Sequence, residues 1–442
     1  MTNGQCLRTS RLSSTRDSSS LRPTVPQPAT GCWRRSDSTR STTSSPRRAT
    51  RSSLASGTRH AAVYVGLVER AAPALLGADQ FGWLDRLDLD FDNIRLALGH
   101  LLGRDGSTRD AMRLVVAATL FFDWRGHQGE LLSATEALES RPEARDADPL
   151  AVRVVLSRSK IVGQIDPGRV IARLDAALAT ARELGDTGLA AEVLNRLAWL
   201  SWSIGDYPAS ERLHAQAVAS ARESGSYVPL SMALNGGGAS KDERLEALEL
   251  TSSAGDYIGR YMVLCNLGAI ALDDGDVQAA RGYFEEALPI IEAARPGGAD
   301  PSLLVNLGSA LVLDGEHTAA RPLYGRALEA ARRHLDDRQQ GYGLFGLAIC
   351  AARDGEALRG ATLCGAAEER FERAGFALEQ AERRLANENE GRLRRMLGVE
   401  AFESACAAGR RLSKDQAIDL ALGRASLGGG PETDSRVSSP VR

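Results

Sequence analysis

A repeated segment of forty residues constrains the fold of this 442-residue chain more than any other feature. Three stretches align without gaps: NLGAIALDDGDVQAARGYFEEAL from Asn266, NLGSALVLDGEHTAARPLYGRAL from Asn306, and GLAICAARDGEALRGATLCGAAE from Gly346. Each has apolar residues at helical spacing on both sides of a turn glycine, and these glycines are Gly275, Gly315 and Gly355. The pattern predicts stacked helical hairpins, because one hairpin cannot bury its apolar face alone.

The repeat extends towards the N-terminus with one irregular step. A further copy, RLAWLSWSIGDYPASERLHAQAV, begins at Arg196 and turns at Gly205. A small residue of the second helix recurs at Ala177, Ala217, Ala247, Ala287, Ala327 and Ala367. The only short step covers residues 226–255, where NGGGASKDE replaces most of a first helix. We therefore predict five or six hairpins, one of them truncated.

These units resemble the tetratricopeptide repeat. The Leu267-Gly268 pair, the tyrosine Tyr207 after a turn, and the aromatic residues Phe284 and Tyr324 in the second helices match that family's pattern. The resemblance covers residues 150–375 and implies an all-α, tetratricopeptide-like solenoid of helical hairpins wound into a right-handed superhelix. It also implies a scaffold that binds a protein or peptide in its concave groove.

Composition separates the chain into segments around the repeats. Residues 1–56 are rich in Ser and Arg, contain ten Arg against Asp17 and Asp37, and are expected to be disordered. Residues 57–150 are predicted to form helices that lead into the repeats at 151–375. A C-terminal helical cap is expected at 376–422, with Ser413 and Gln416 as a capping box, and a disordered tail at 423–442.

Three stretches carry a second resemblance, to the sensor regions of large ATP-binding bacterial transcriptional regulators of the LuxR-family and NB-ARC type. They are WLDRLDLDFDNIRLALGHLL from Trp83, FFDWRGHQGE from Phe121, and LGVEAFESACAAGRRLSKDQAIDLAL from Leu397. This resemblance implies that the chain is the sensor arm of such a regulator. It does not carry over ATP hydrolysis or DNA binding, because the sequence has neither a phosphate-loop motif nor a segment that matches a helix-turn-helix.

No pattern in the sequence predicts catalysis, a cofactor site or a metal site. Gly236-Gly237-Gly238 before Ser240-Lys241 has the wrong spacing for a phosphate loop and is interpreted as a shortened loop between repeats. The six histidines lack metal-binding spacing, and no GxSxG elbow is present. Cys265, Cys350 and Cys364 are expected in the core. The carboxylates Asp85, Asp88, Asp90 and Asp92 are interpreted as a solvated helix face. The sequence predicts a protein that is not an enzyme.

Trp199, Trp202 and Tyr207 form the densest aromatic group in the sequence. Aromatic side chains of this kind anchor partners at interfaces. Packing between neighbouring repeats is the interpretation that the sequence favours, and anchoring of a partner stays open as the alternative.

The charge and cysteine patterns define the expected setting. A net charge of −3 gives no case for nucleic acid or an anionic membrane as partner. The six cysteines form no CxxC pair, the first residues lack a secretory core, and the apolar run from Leu114 to Phe122 is too short to span a membrane. We expect a soluble cytoplasmic interaction or effector-sensing module. Two alternatives stay open, namely direct DNA contact through the Arg-rich N-terminal arm, and a truncated remnant of a longer regulator.

Overall fold

The computed structural model describes residues 46–104, 106–145, 148–162, 166–295, 300–334, 337–375, 378 and 380–425. Two units are distinguished, residues 1–51 and 52–442, and of the first only residues 46–51 are described, as helix. Most of the predicted disordered segment, residues 1–45, and most of the predicted tail, residues 426–442, lie outside the described residues. Helix α1 begins at Pro46, so residues 46–56 are helical although composition favoured disorder.

The described residues form helices and turns, without a β-strand, which confirms the all-α prediction. The helices before the repeats are α1 Pro46–Ala74, α2 Gln80–Leu89, α3 Phe91–Leu102, α4 Thr108–Trp124 and α5 Gln128–Glu139. The hairpin helices are α6 Pro149–Val162, α7 Pro167–Glu183, α8 Thr187–Ser203, α9 Tyr207–Ser224, α10 Tyr227–Leu234, α11 Lys241–Ala254, α12 Tyr257–Asp274, α13 Val277–Ala294, α14 Pro301–Leu313, α15 His317–His334, α16 Asp337–Arg353 and α17 Ala357–Arg373. The last three are α18 Gln380–Leu397, α19 Val399–Arg410 and α20 Lys414–Ala421.

The Gly-Asp turns end one helix and begin the next. At the α12–α13 turn, Gly275 adopts φ 79°, a left-handed conformation that glycine reaches without a Cβ clash. The Asp276 amide donates back to the Ala271 carbonyl at 2.8 Å, and its carboxylate accepts from the Ala279 amide at 3.1 Å. Two adjacent residues therefore satisfy backbone groups on both helices. At α14–α15 and α16–α17 the turn glycine is followed by Glu316 and Glu356 instead, and Glu356 makes no side-chain cap.

Close approach of the two helices depends on a glycine in the first. A Cβ added to Gly268 would lie 2.4 Å from the Phe284 ring, and one added to Gly308 would lie 2.8 Å from the Tyr324 ring. Phe284 and Tyr324 are fully or almost fully buried. The glycine of the Leu-Gly pair and the aromatic residue therefore form the close contact between the two helices of each of these hairpins.

The short step is a truncated first helix. Helix α10 has eight residues, whereas α12 has eighteen. A glycine loop then leads to α11, which begins at Ser240 with a capping box completed by Glu243. The hairpin α10–α11 thus keeps its second helix and loses most of its first.

The helices before the repeats pack against the middle of the array. Gln80, fully buried, donates to Asp256 at 2.7 Å and accepts from the Ile258 amide at 3.0 Å. Asp256 also accepts from the Tyr227 hydroxyl at 3.0 Å. The α4–α12 contact adds Trp124, whose ring meets Tyr261 edge-on at 5.7 Å.

The buried apolar side chains form three clusters. The first combines α1–α6 with α12–α18 and α20, the second runs through α6–α12, and a smaller third joins α16–α19. Solenoids are held together by contacts between neighbouring repeats. Here the helices before the repeats also join a core with hairpins far along the chain.

Candidate interaction surface

The structure separates the three aromatic residues of the predicted site. Trp199 is half-buried and packs against the second core cluster, whereas Trp202 and Tyr207 are 45% and 57% exposed. Ile204, at the C-terminus of α8, lies between them in sequence and is 53% exposed. We call Trp202, Ile204 and Tyr207 the turn patch, because all three lie at the turn between α8 and α9.

Trp199 is held by contacts inside the array. The Arg196 guanidinium lies over its ring at 4.4 Å and donates to the Ser159 hydroxyl at 3.1 Å and to the Ser159 carbonyl. Burial lowers the pKa of Arg196 to about 10, while the Asp123 charge opposes this shift. The guanidinium stays charged at neutral pH and joins α8 to α6. Core packing between repeats therefore describes Trp199, but neither Trp202 nor Tyr207.

Ile204 occupies a position that carries aspartate in the later hairpins. Counted from the turn glycine, its counterparts are Asp274, Asp314 and Asp354. Asp314 accepts from Arg281 at 3.0 Å, and Asp354 pairs with Arg321 and with His317 at 2.9 Å. These ion pairs connect the second helix of one hairpin to the turn of the next.

The cationic half of that pair is also missing at the turn patch. Arg281 and Arg321 each lie five residues after the N-cap residue of their helix. The residue at the same position of α7 is Ile171. An Arg–Asp pair in two later hairpins is thus replaced by two isoleucines at α7–α9. Ile204 was not among the predicted site residues, although an alignment of the turns would have identified it.

The glycine loop, Gly236-Gly237-Gly238, packs against other parts of the protein. A Cβ on Gly237 would lie 3.0 Å from the Ala198 carbonyl oxygen and 3.0 Å from the Trp199 Cα, because the loop lies directly on α8. Arg244 donates to the Gly236 carbonyl at 3.0 Å and to the Ala239 carbonyl. The loop carbonyls are therefore bound from inside the protein, as expected for a shortened loop between repeats.

Two of the four carboxylates interpreted as a solvated face have another role. Asp85 and Asp88 both pair with the guanidinium of Arg125, which is almost fully buried. Burial raises the pKa of Asp88, and the Arg125 and His127 charges partly offset that shift. The Asp85 side chain is still 73% exposed, as a solvated face predicts. The interpretation was wrong only for the partly buried Asp88, whose charge lies against a buried cation at the α4–α5 turn.

The cysteine thiols serve in packing. Burial raises the pKa of the Cys265 thiol to about 12 and that of Cys350 to about 11, which disfavours thiolate formation. The Cys364 thiol, whose pKa burial also raises, accepts a hydrogen bond from Asn389 at 3.3 Å. Among the described residues, no group of three or more His, Cys, Asp or Glu is arranged to hold a metal ion.

Comparison with known proteins identifies the repeat. Residues 190–224 and 302–339 match the tetratricopeptide repeat family, and they cover the α8–α9 and α14–α15 hairpins. No curated protein matches the chain. In the part of the chain that the structure describes, every helix is too short or too polar to cross a membrane. The fold is therefore a tetratricopeptide-like solenoid of helical hairpins, with two segments that match the tetratricopeptide repeat itself.

Proposed function

We propose that the chain is a non-catalytic interaction module, and that it binds a partner protein or peptide at the turn patch. One observation carries this proposal: Trp202, Ile204 and Tyr207 are exposed at a turn, and two counterparts of this turn bear a paired aspartate. Tryptophan and tyrosine are enriched among the residues that dominate binding energy at protein interfaces. A partner with an apolar segment would cover these side chains and gain about 25 cal/mol for each Å² of apolar surface removed from water.

The α4–α12 contact limits where a partner could bind. Trp124 covers Tyr261 on the first helix of the α12–α13 hairpin, and Arg295 lies over the Trp124 ring at 5.3 Å. The sequence predicted a partner in the concave groove. Because Trp124 packs on Tyr261, less of α12 is open to a partner. The turn patch at α8–α9 remains exposed and is the better candidate.

A finer proposal concerns the identity of the partner. The resemblance of the stretches from Trp83, Phe121 and Leu397 to regulator sensor regions suggests that this module is the sensor arm of a bacterial transcriptional regulator. In that case an ATPase or a DNA-binding protein would be the partner. The interaction proposal does not depend on this identity.

The test is capture of a partner from native lysate by the full chain, followed by mass spectrometry. A Trp202→Ala/Tyr207→Ala variant should lose a partner that the unchanged chain captures, by at least about 10-fold if each aromatic contributes more than 1 kcal/mol. Leu358→Ala is the matched control, because Leu358 is 51% exposed near the start of α17 and lies outside the patch.

Circular dichroism and thermal unfolding establish that each variant is folded. Equal capture by the double variant and by the Leu358→Ala control would contradict the turn patch as the binding site. Failure of a folded full chain to capture any partner would contradict the interaction module. Recovery of an ATPase or a DNA-binding protein would support the sensor arm, whereas any other specific partner would support the module alone.

A further inference from the structure

A cavity of about 600 Å³ lies between the last hairpin and the C-terminal helices. Its wall includes Asp337 at the start of α16, Arg370 and Arg373 near the end of α17, and Lys414 at the start of α20. Cavities of 300–1,000 Å³ are typical of small-molecule sites. This cavity is separate from the turn patch, and nothing in the interaction proposal depends on it.

Arg370 is the unusual member of the cavity wall. Arg370 is 5% exposed and forms an ion pair with Asp337 at 3.5 Å. That distance exceeds the 2.7–2.9 Å of a charge-assisted hydrogen bond. A guanidinium carries five N–H donors, and a buried one requires acceptors for them. Arg370 therefore lines the cavity with a guanidinium whose carboxylate partner lies at long range.

The nearby charges increase this cationic character. Arg373 approaches the same Asp337 carboxylate at 3.7 Å, so a single carboxylate serves two guanidinium groups. Lys414 has no ion-pair partner among the described residues and is the first residue of α20, whose N-terminus adds a partial positive charge. Asp337 and Glu369 are the opposing charges in the wall, and Arg410 is already paired with Glu368 and Glu372 at 2.7 and 2.8 Å.

We propose that this cavity binds a small anionic metabolite through a phosphate or carboxylate group. The oxyanion would lie between Arg370, Arg373 and Lys414, and would supply the short, direct acceptors that Asp337 does not supply at 3.5 and 3.7 Å. Planar guanidinium groups hold either oxyanion with paired hydrogen bonds. The space left in the cavity admits the remainder of a metabolite-sized molecule.

Isothermal titration of the full chain with pyrophosphate and, separately, with citrate tests the proposal and distinguishes the two chemistries. We expect saturable binding of one anion per chain. Arg373→Gln and Lys414→Gln should each weaken it by at least about 10-fold, because each removes one charge-assisted contact. Both side chains are partly or largely exposed, so these variants should fold.

Lys241→Gln is the matched control. Lys241 is also the first residue of a helix that begins with a serine capping box, but it lies at α11, away from the cavity. Binding to this variant should equal that of the unchanged chain if the cavity, and not any helix N-terminus, holds the anion. Glu369→Gln provides a gain of function, since removal of an opposing carboxylate should tighten binding, and a loss of folding could not imitate that result.

The outcomes are distinct. Saturable binding that weakens in Arg373→Gln and Lys414→Gln, is unchanged in Lys241→Gln and tightens in Glu369→Gln would support the site. The preferred anion would then indicate whether the natural ligand carries phosphate or carboxylate. No saturable binding of either anion, or binding that is indifferent to Lys414→Gln and Arg373→Gln, would overturn the proposal.

Discussion

The hairpins α12–α13 and α14–α15 achieve close packing differently from the region α8–α11. In the first pair, a glycine of the first helix makes room for a large ring of the second, as Gly268 does for Phe284. At α8–α9 the same two positions hold Ala198 and His214. His214 is buried and bonds to Glu243 of the next hairpin at 3.1 Å.

In the last hairpin, a larger side chain at one of these two positions is matched by a smaller side chain at the other. At α16–α17 they hold Ala348 and Cys364, so a larger residue on the first helix accompanies a smaller one on the second. At α8–α11 the close contact is instead made by the loop, where Gly237 meets the backbone of α8. The comparison indicates that the volume at a close contact can be divided between the two helices in different ways, or left to a loop glycine, as long as the contact stays filled.

The largest expected effect comes from emptying the ring site of a regular hairpin. Phe284→Ala should lower the free energy of unfolding by about 3–5 kcal/mol, because the ring is fully buried and its removal leaves a cavity. His214→Ala, at the equivalent position of α8–α9, should cost less, since a smaller side chain is lost. Urea denaturation of both variants measures the difference, and an equal loss would remove the distinction between the two kinds of hairpin.

Filling the glycine position should cost less than emptying the ring site. Gly268→Ala is expected to destabilise the protein by about 1–3 kcal/mol through overpacking against Phe284. The double variant Gly268→Ala/Phe284→Cys reproduces the pair at α16–α17. Its loss in the free energy of unfolding should be smaller than the sum of the two single losses by more than about 0.5 kcal/mol.

The control for this cycle combines Gly268→Ala with Tyr324→Cys. The Tyr324 ring lies against Gly308 and Gly346, so its replacement should be additive with Gly268→Ala. Additivity in both cycles would show that the glycine and the ring at one hairpin do not exchange volume.

A glycine of the irregular region should behave differently. Gly237→Ala should also cost about 1–3 kcal/mol, but the obstructing atoms belong to the backbone of Ala198 and Trp199. No side-chain truncation on α8 should therefore rescue it. Gly282→Ala on α13 is the control, because a Cβ there meets open space and should stabilise the helix by about 0.5–1 kcal/mol. A rescue of Gly237→Ala by Trp199→Ala would contradict the backbone contact.

The smallest effect on stability is expected at the turn patch. Ile171→Arg with Ile204→Asp rebuilds the pair found at Arg281–Asp314, and an exposed pair contributes about 0–1 kcal/mol. Because Ile171 packs partly against the second core cluster, the change in thermal unfolding should stay small only if the new ion pair offsets that lost packing. Capture of the partner should fall, because a charge replaces an apolar contact. Unchanged capture would mean that the aspartate and isoleucine versions of this turn are functionally equivalent.

Much of the local structure was predictable from the sequence, for a physical reason. The Gly-Asp turns depend on hydrogen bonds between residues at most a few positions apart, such as Asp276 to Ala279. The Leu-Gly pair and the ring at Phe284 recur at a constant spacing, so their contact is visible as a period. The truncation at 226–255 could likewise be read from a short step in that period.

The candidate site was only partly predictable. All three aromatic residues belong to the same dense group in the sequence, yet the Trp199 side chain packs inside while those of Trp202 and Tyr207 are exposed. The direction of each side chain depends on what covers α8, and part of that cover is a loop pressed against it from the next hairpin. The importance of Ile204 appears only when its turn is compared with turns that carry an ion pair.

The sequence by itself determined the helical hairpins, their turns and the position of the irregular repeat, because these depend on local hydrogen bonds and on a regular apolar period. The tertiary structure alone decided the contact of Gln80 with Asp256, the divided core, and the cavity around Arg370. Each joins elements far apart in the chain. Their meeting depends on how small rotations accumulate from hairpin to hairpin, and no local pattern records that sum.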